Sequence, residues 1–275
     1  MRTEPNHRTG ITRLPSAPCI AAVLLACASV SHAADWPQFR GPNLDSTSPE
    51  KLLAKKWPAN GPRSLWKTPL TDGFSSFTVS AGKAFTLVQR EVDGAKREVC
   101  VALDANTGKE IWAVPFGLVK TGDGGQSGAS DNAGGDGPRS TPTVNEGRVY
   151  VMSAKLILSC LDAGSGKVVW QKDMIKEHAG RNISWENAAS PVIEGNLVFV
   201  AGGGPGQSLL GINKKDGRVV WKVEDEKMTH STPVVANILG ATRLFSLRKA
   251  VWSRYRRRTA RCSGVILSPT KFPPR

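Results

Sequence analysis

Three stretches of this chain are written to one pattern: Ala102-Leu103-Asp104-Ala105-Asn106-Thr107-Gly108-Lys109-Glu110-Ile111-Trp112, then Cys160-Leu161-Asp162-Ala163-Gly164-Ser165-Gly166-Lys167-Val168-Val169-Trp170, then Gly211-Ile212-Asn213-Lys214-Lys215-Asp216-Gly217-Arg218-Val219-Val220-Trp221. Their tryptophans fall 58 and 51 residues apart. A period of that size means one supersecondary unit repeated, each burying its apolar face against its neighbour. Architecture is therefore constrained before any single residue is considered.

A second motif recurs in step: Ser75-Ser76-Phe77-Thr78-Val79, Ser140-Thr141-Pro142-Thr143-Val144, Ala189-Ser190-Pro191-Val192-Ile193 and Ser231-Thr232-Pro233-Val234-Val235. The first three lead into β-branched stretches at 84–88, 148–152 and 197–200. Glycine-containing turns at 145–147 and 194–196 supply the positive φ of tight hairpins. Each unit reads as four antiparallel strands, A to D, in a meander. The expected fold is all-β: a partial β-propeller of four-stranded antiparallel blades, about three blades plus the start of a fourth. The recurring Asp before the C–D turn is placed to bond its own backbone. Pro142, Pro191 and Pro233 cannot donate to a ladder, so strand A is a sheet edge facing the hub. Each repeat Trp is expected between consecutive blades, contributing up to roughly 4–6 kcal/mol of burial. Helical patterns are nearly absent.

The Asp-x-x-(Thr/Ser)-Gly-Lys-x-x-Trp repeats, Ser-Thr-Pro-x-Val and the segment Asp35-Trp36-Pro37-Gln38-Phe39-Arg40-Gly41-Pro42 together resemble the pyrroloquinoline-quinone (PQQ) repeat β-propellers. The resemblance spans residues 35 to about 240. It implies six to eight blades and export. It implies either PQQ chemistry, as in quinoprotein alcohol and glucose dehydrogenases, or cofactor-free binding of other proteins, as in the outer-membrane β-barrel assembly lipoprotein. The dehydrogenases carry adjacent cysteines and a Glu, Asn and Asp set for calcium. This sequence has no adjacent cysteine pair, and no acidic cluster stands out as a calcium site. The function expected is an exported binding or scaffold protein of the cell envelope, with no catalytic or metal residues assigned. The alternative is a PQQ-dependent oxidoreductase, or a fragment of one, with PQQ as cofactor.

Residues 1–33 read as a secretory signal peptide: Arg2, Arg8 and Arg13, an apolar run from Cys19 to Val30, and cleavage after Ala33. A lipoprotein-type cysteine at Cys27 is the competing processing site. Residues 34–68 form a lead-in, 69–240 the repeats and 241–275 a basic non-repeat tail. The tail's ten basic and no acidic residues, with the net +2 of residues 1–33, account for all but +2 of the chain's +14. A nearly neutral repeat region gives no electrostatic case for nucleic acid. The fourth unit starts at Ser231, but no strand B is recognisable after Gly240. The tail reads either as a shifted reading frame or as an anion-binding arm. The partner expected is a protein or envelope component, with self-association of the open ring. Cys100 and Cys160 are expected as buried small hydrophobes, not a disulfide.

Length variation concentrates in the B–C and D–A connections, which share one face. Variable loops on a rigid scaffold carry binding residues, so the site is placed there. The residues just before each strand A, Phe74, Arg139, Ala188 and His230, should ring the channel mouth. Arg139 suits a carboxylate clamp, and pairing with Asp131 or Asp136 is its alternative. His230 is a second rim candidate. In the polar-aromatic loop 176–187, Trp185 suits stacking on a flat ligand, with Arg181 and Asn187 bonding its edge. Trp185 as a simple loop anchor remains the alternative.

Overall fold

The computed structural model describes residues 34–51, 56–119, 137–183, 185–223, 225, 227–239 and 241–246. The signal peptide with Cys27 and Ala33, the loop acids Asp123, Asp131 and Asp136, and the tail from 247, with Cys262, lie outside the described residues. No helix among those described is long and apolar enough to cross a membrane.

Blade 1 comprises β1 (Thr78–Ser80), β2 (Lys83–Val92), β3 (Ala95–Asp104) and β4 (Glu110–Leu118). Blade 2 comprises β5 (Thr143–Asn145), β6 (Arg148–Met152), β7 (Ile157–Asp162) and β8 (Val168–Asp173). Blade 3 comprises β9 (Val192–Glu194), β10 (Leu197–Ala201), β11 (Leu209–Asn213) and β12 (Val219–Val223). Each is an antiparallel meander with strands in sequence order. A fourth sheet pairs β13 (Val234–Ile238) with β14 (Ala241–Phe245).

The β13–β14 pair corrects the expectation that no strand B follows Gly240. In the first three blades Thr78, Thr143 and Val192 pair with Phe85, Tyr150 and Phe199. Val234 pairs with Phe245 in the same register. The hairpin is longer by two residues in each arm. Its turn starts at Leu239 with φ 52, as the others start at Ala81 (φ 49), Glu146 (φ 47) and Gly195 (φ 57). Leu239 thus takes the backbone conformation that opens the other hairpin turns, and Leu244 is buried in the core beyond it.

The turn Asp behaves as its position suggests. Asp104 Oδ1 accepts from the amides of Asn106 and Thr107 at 3.0 and 2.8 Å and from the Thr107 hydroxyl at 2.9 Å. Asp162 repeats this with Gly164 and Ser165. The Thr107 and Ser165 hydroxyls hold these carboxyls below the usual carboxylate range.

Each repeat Trp meets the aromatic of strand B in its own blade, with centroids 5.8 Å apart for Phe85–Trp112, 6.1 Å for Tyr150–Trp170 and 5.6 Å for Phe199–Trp221. The indoles of Trp112 and Trp170 then cross to the next blade's C–D turn, donating Nε1 to Ala163 O at 3.2 Å and to Lys214 O at 3.1 Å. Such tilted pairs add to plain area burial. The ring lies so close that a methyl on Gly166 (φ 75) would sit 2.9 Å from Trp112 Cδ2. Trp66, outside the three sequence repeats, takes the same place against blade 1. Its Nε1 donates to Ala105 O at 2.9 Å, and Thr68 Oγ1 donates to Gly108 O at 2.7 Å.

The apolar clusters are accordingly blade interfaces. One holds Phe85, Leu87, Val144 and Val149 with Trp112 against them, and another holds Tyr150, Leu158, Phe199, Ile212 and Leu244 with Trp170 and Trp221. Cys100 and Cys160 are free and buried in these clusters. Burial pushes both thiols up, Cys160 to about 11, which keeps them protonated and poorly nucleophilic.

One short helix, α1 (Met174–His178), departs from the all-strand expectation. Asp173 caps it by accepting from the amides of Ile175 and Lys176, and Ala179 ends it at φ 49. Five residues show no helical periodicity, and the signal is the cap alone.

Candidate functional site

The aligned Ser/Thr of the strand-A motif has a purpose that spacing did not reveal. Ser76 N donates to Thr141 Oγ1 at 3.3 Å, Thr141 N to Ser190 Oγ at 2.8 Å, and Ser190 N to Thr232 Oγ1 at 3.0 Å. These residues occupy one register position in four successive units. A belt of amide-to-hydroxyl bonds therefore laces the hub, where proline-marked edges leave main-chain groups without ladder partners. Thr143 Oγ1 adds a bond to Pro191 O at 2.6 Å.

The lead-in enters this hub. Trp36 exchanges both main-chain bonds with Val79, at 2.8 and 2.9 Å, and Pro37 O accepts from Val144 N at 2.7 Å. Asp35 anchors its start by accepting from Ser80 Oγ at 2.7 Å and Ala81 N at 3.2 Å. The chain then reverses through Arg40 (φ 65) and Gly41 (φ 80), where any Cβ would lie 2.7 Å from the Trp36 ring.

Beyond that reversal lies a cavity of about 420 Å³. Phe39, Arg40 and Leu44 of the lead-in line it together with Arg139, Ala188, Ser190, His230 and residues 231–234. Among the described residues, two arginines line it and no carboxylate does. Arg139 also stands over the Phe74 ring, 4.9 Å from its centroid. The four residues preceding strand A are thus brought together, Phe74 through that ring contact and the other three on the cavity wall. Partial burial holds the His230 imidazole below its ordinary value; its bond to the Glu186 main chain opposes this, and the Arg139 charge reinforces it. His230 therefore adds little positive charge at pH 7, and Arg40 and Arg139 are the charged side chains of the described lining.

The remaining predicted residues fall elsewhere. Asn187 is buried directly behind Ala188, with Nδ2 donating to Ala189 O at 3.0 Å and Ser153 O at 3.4 Å, and Oδ1 accepting from Ala189 N at 3.1 Å. Its amide shapes the wall. Arg181 and Trp185 are exposed, Trp185 by 47%, and neither lines the cavity. Between Trp185 and Asn187, Glu186 adopts φ 60 while buried and paired with Lys155. A non-glycine residue held in that region marks a locally strained turn.

Sequence reasoning missed Phe39, Arg40 and Leu44 as site residues. The Asp35–Pro42 stretch was visible only as a family mark. It also missed Glu98, a fully buried carboxyl on β3 that accepts from Ala154 N of blade 2 at 3.0 and 3.2 Å. Desolvation pushes it up to about 8 against the pull of that amide, with the Glu186 charge adding to the rise.

PQQ is a flat tricarboxylate, so its site needs cations, a stacking face and carboxylates for its calcium. Arg40 and Arg139 meet the first need. Trp112 and Trp170 are wedged between blades, and Phe39 is the aromatic of the cavity lining. No group of three His, Cys, Asp or Glu side chains suited to a metal occurs among the described residues. The fit is incomplete.

Two curated relatives share the repeat. The chain is 28% identical over 154 residues to quinoprotein alcohol dehydrogenase PedH of Pseudomonas putida, an alignment covering 53% of this chain and 23% of that protein. It is 32% identical over 112 residues to outer membrane protein assembly factor BamB of Moranella endobia, covering 39% and 28%. The aligned parts are thus about a quarter of each relative's length. Among solved structures, BamB from Moraxella catarrhalis aligns at TM-score 0.39 with 19% identity, over 61% of this chain and 40% of that one. Quinohemoprotein alcohol dehydrogenase from Comamonas testosteroni aligns at 0.45 with 19% identity, over 68% and 26%. The family model described as outer membrane protein assembly factor BamB matches residues 95–251, more than half of the chain. With its laced blades and repeat tryptophans, this chain belongs to that family of PQQ-repeat β-propellers.

Proposed function

We propose that this protein is an exported binding protein of the cell envelope, which presents its hub and loop face to another protein or envelope component. The observation that carries the reading is the hub cavity, a preformed concavity with a cationic and partly apolar lining. Around it, Asn187 and the belt hydroxyls are already engaged with main chain. A preformed concavity of this size with a few convergent polar groups is what a binding site requires. The sequence adds the export signal at 1–33, with cleavage after Ala33. The mature N-terminus, read by mass spectrometry from an envelope fraction, should be Ala34, and an N-terminus at Cys27 would move the protein to a lipid anchor. A photo-crosslinking residue at His230 should capture an envelope component, while one at Lys215 in a C–D turn should not. Equal capture from both sites, or from neither, would defeat the proposal.

The identity with a quinoprotein alcohol dehydrogenase over 154 residues favours a second reading, a PQQ-dependent oxidoreductase. Alcohol-dependent reduction of an acceptor dye after loading with PQQ and calcium would replace the binding role with that activity.

A further inference from the structure

Glu98 lies fully buried on β3 and takes no part in lining the hub cavity. Its cross-strand partner is Gln89 of β2. Gln89 turns its main chain away from β3: its amide donates to Asp72 O at 2.8 Å, and its carbonyl accepts from the Thr71 hydroxyl. Gln89 and Glu98 thus form a non-hydrogen-bonded pair of the ladder. Such pairs bring side chains on one face closest, with Cα atoms about 4.5 Å apart. Gln89 Oε1 is buried there with no donor among the described residues. An ionised Glu98 cannot supply one, and both of its oxygens accept from Ala154 N. Two buried acceptors side by side are costly, and one proton removes the cost, because a protonated carboxyl donates. A methyl on Gly117 would lie 3.0 Å from Glu98 Oε2 and 2.9 Å from Ser153 Cβ, so β4 and the turn at 153–156 close over the carboxyl. That turn is tied to the hub wall. Ala154 O accepts from Asn182 Nδ2 at 2.8 Å and from Asn187 N at 3.2 Å, Lys155 pairs with Glu186, and Asn187 directly precedes Ala188 of the cavity lining.

We infer that Glu98 donates a proton to Gln89 Oε1, and that this shared proton latches the 153–156 turn and, through it, the hub wall at Asn187 and Ala188. Burial is the main reason the carboxyl keeps its proton to about 8; the Ala154 amide opposes it, the Glu186 charge adds to it, and the Lys155 and Arg139 charges oppose it. Those three side chains are the charged groups that bear on Glu98 among the described residues. Once ionised, Glu98 is stabilised by water, which reaches it when the turn parts from β3 and β4. The bonds from Ala154 to Asn182 and Asn187 carry that parting to the hub wall. The wall therefore loosens as pH rises and tightens as it falls. This deepens the reading of the hub as a binding surface by giving its wall a pH-dependent stiffness. The measurements that test it need no bound partner, so either reading can fail alone.

The test follows the mature full chain by infrared spectroscopy and by residue-resolved hydrogen exchange. A protonated-carboxyl band should persist at pH about 6, well above the range of an ordinary glutamate, and be missing from Glu98→Gln. Gln89→Leu should keep the band and move it to higher wavenumber, because the carboxyl has lost its acceptor. Opening that hydrates Glu98 becomes about tenfold easier per pH unit between 4.5 and about 8. After correction for intrinsic exchange rates, protection of the Ala154 and Asn187 amides should fall by that factor, and from a lower level than in the blade core at Val101. In Glu98→Gln it should stay level, since the new amide accepts from Ala154 N and donates to Gln89 without titrating. The Gly108 amide, bonded to Asp104 O in a C–D turn, should not follow pH in either chain. Absence of the band at pH about 6, or its indifference to Gln89→Leu, would overturn the shared proton. Protection of Ala154 that ignores pH, or that matches Val101 in level and slope, would overturn the latch and leave only global unfolding. Where Glu98→Gln fails to fold, the exchange profile of the unsubstituted chain and the Gln89→Leu band still decide.

Discussion

The blade interfaces and the hub are held together differently. At the interfaces one device is repeated: the indoles of Trp66, Trp112 and Trp170 each donate to the C–D turn of the blade that follows, and Trp112 and Trp170 also meet the strand-B aromatic of their own blade. At the hub the belt of hydroxyls repeats, but its coverage does not. The lead-in is bonded to blades 1 and 2 and leaves a cavity over blades 3 and 4. Repetition serves stability, and the break in repetition creates the site.

The sharpest way to break that comparison is Trp170→Ala. Removing the ring that joins Tyr150 to the Lys214 turn should cost about 3 kcal/mol or more in urea unfolding. A loss comparable to a surface substitution would refute the wedge role.

The next test concerns Glu98, which links blade 1 to the amide of Ala154 behind the site. Its folded-state value is raised from an ordinary 4.5 to about 8, so within that window the folded chain keeps a proton that the unfolded chain has released. Stability is therefore fully present below 4.5 and is lost as pH rises towards 8, at up to about 1.4 kcal/mol per pH unit. Glu98→Gln should flatten this limb of the stability–pH curve; an unchanged slope would assign it to other groups.

A smaller effect is expected from Thr141→Val, which removes one link of the belt and leaves the Ser76 amide without its hydroxyl. About 1–3 kcal/mol should be lost, sharpening the claim that the hub is laced by hydrogen bonds where the interfaces are wedged by rings. At the bottom of the scale, Arg181→Ala is exposed and outside both devices and should change stability by less than about 0.5 kcal/mol.

Much of the fold was legible because its signals are local. Asp104 and Asp162 announce their turns within three residues, and the alternation around Phe85 and Tyr150 announces strands. Trp66 carries no such signal, because no Asp-x-x-(Thr/Ser)-Gly-Lys turn precedes it as one precedes Trp112 and Trp170. Strand β14 shows no such alternation in 241–245, and its pairing with β13 is a tertiary feature. Of the site, Arg139 and His230 could be placed by register alone, since both directly precede a strand A. Asn187 was singled out for its polarity, but burial turned its amide toward main chain.

By itself the sequence determined which strands pair, where they turn and which side chains repeat, because hairpin geometry and two-residue alternation act over a few neighbouring residues. Only the tertiary structure decided that Arg40 and Arg139 line one cavity and that Glu98 is sealed against Ala154. Those placements depend on main-chain bonds between distant segments, Trp36 with Val79 and Pro37 with Val144, and on burial that no local pattern encodes.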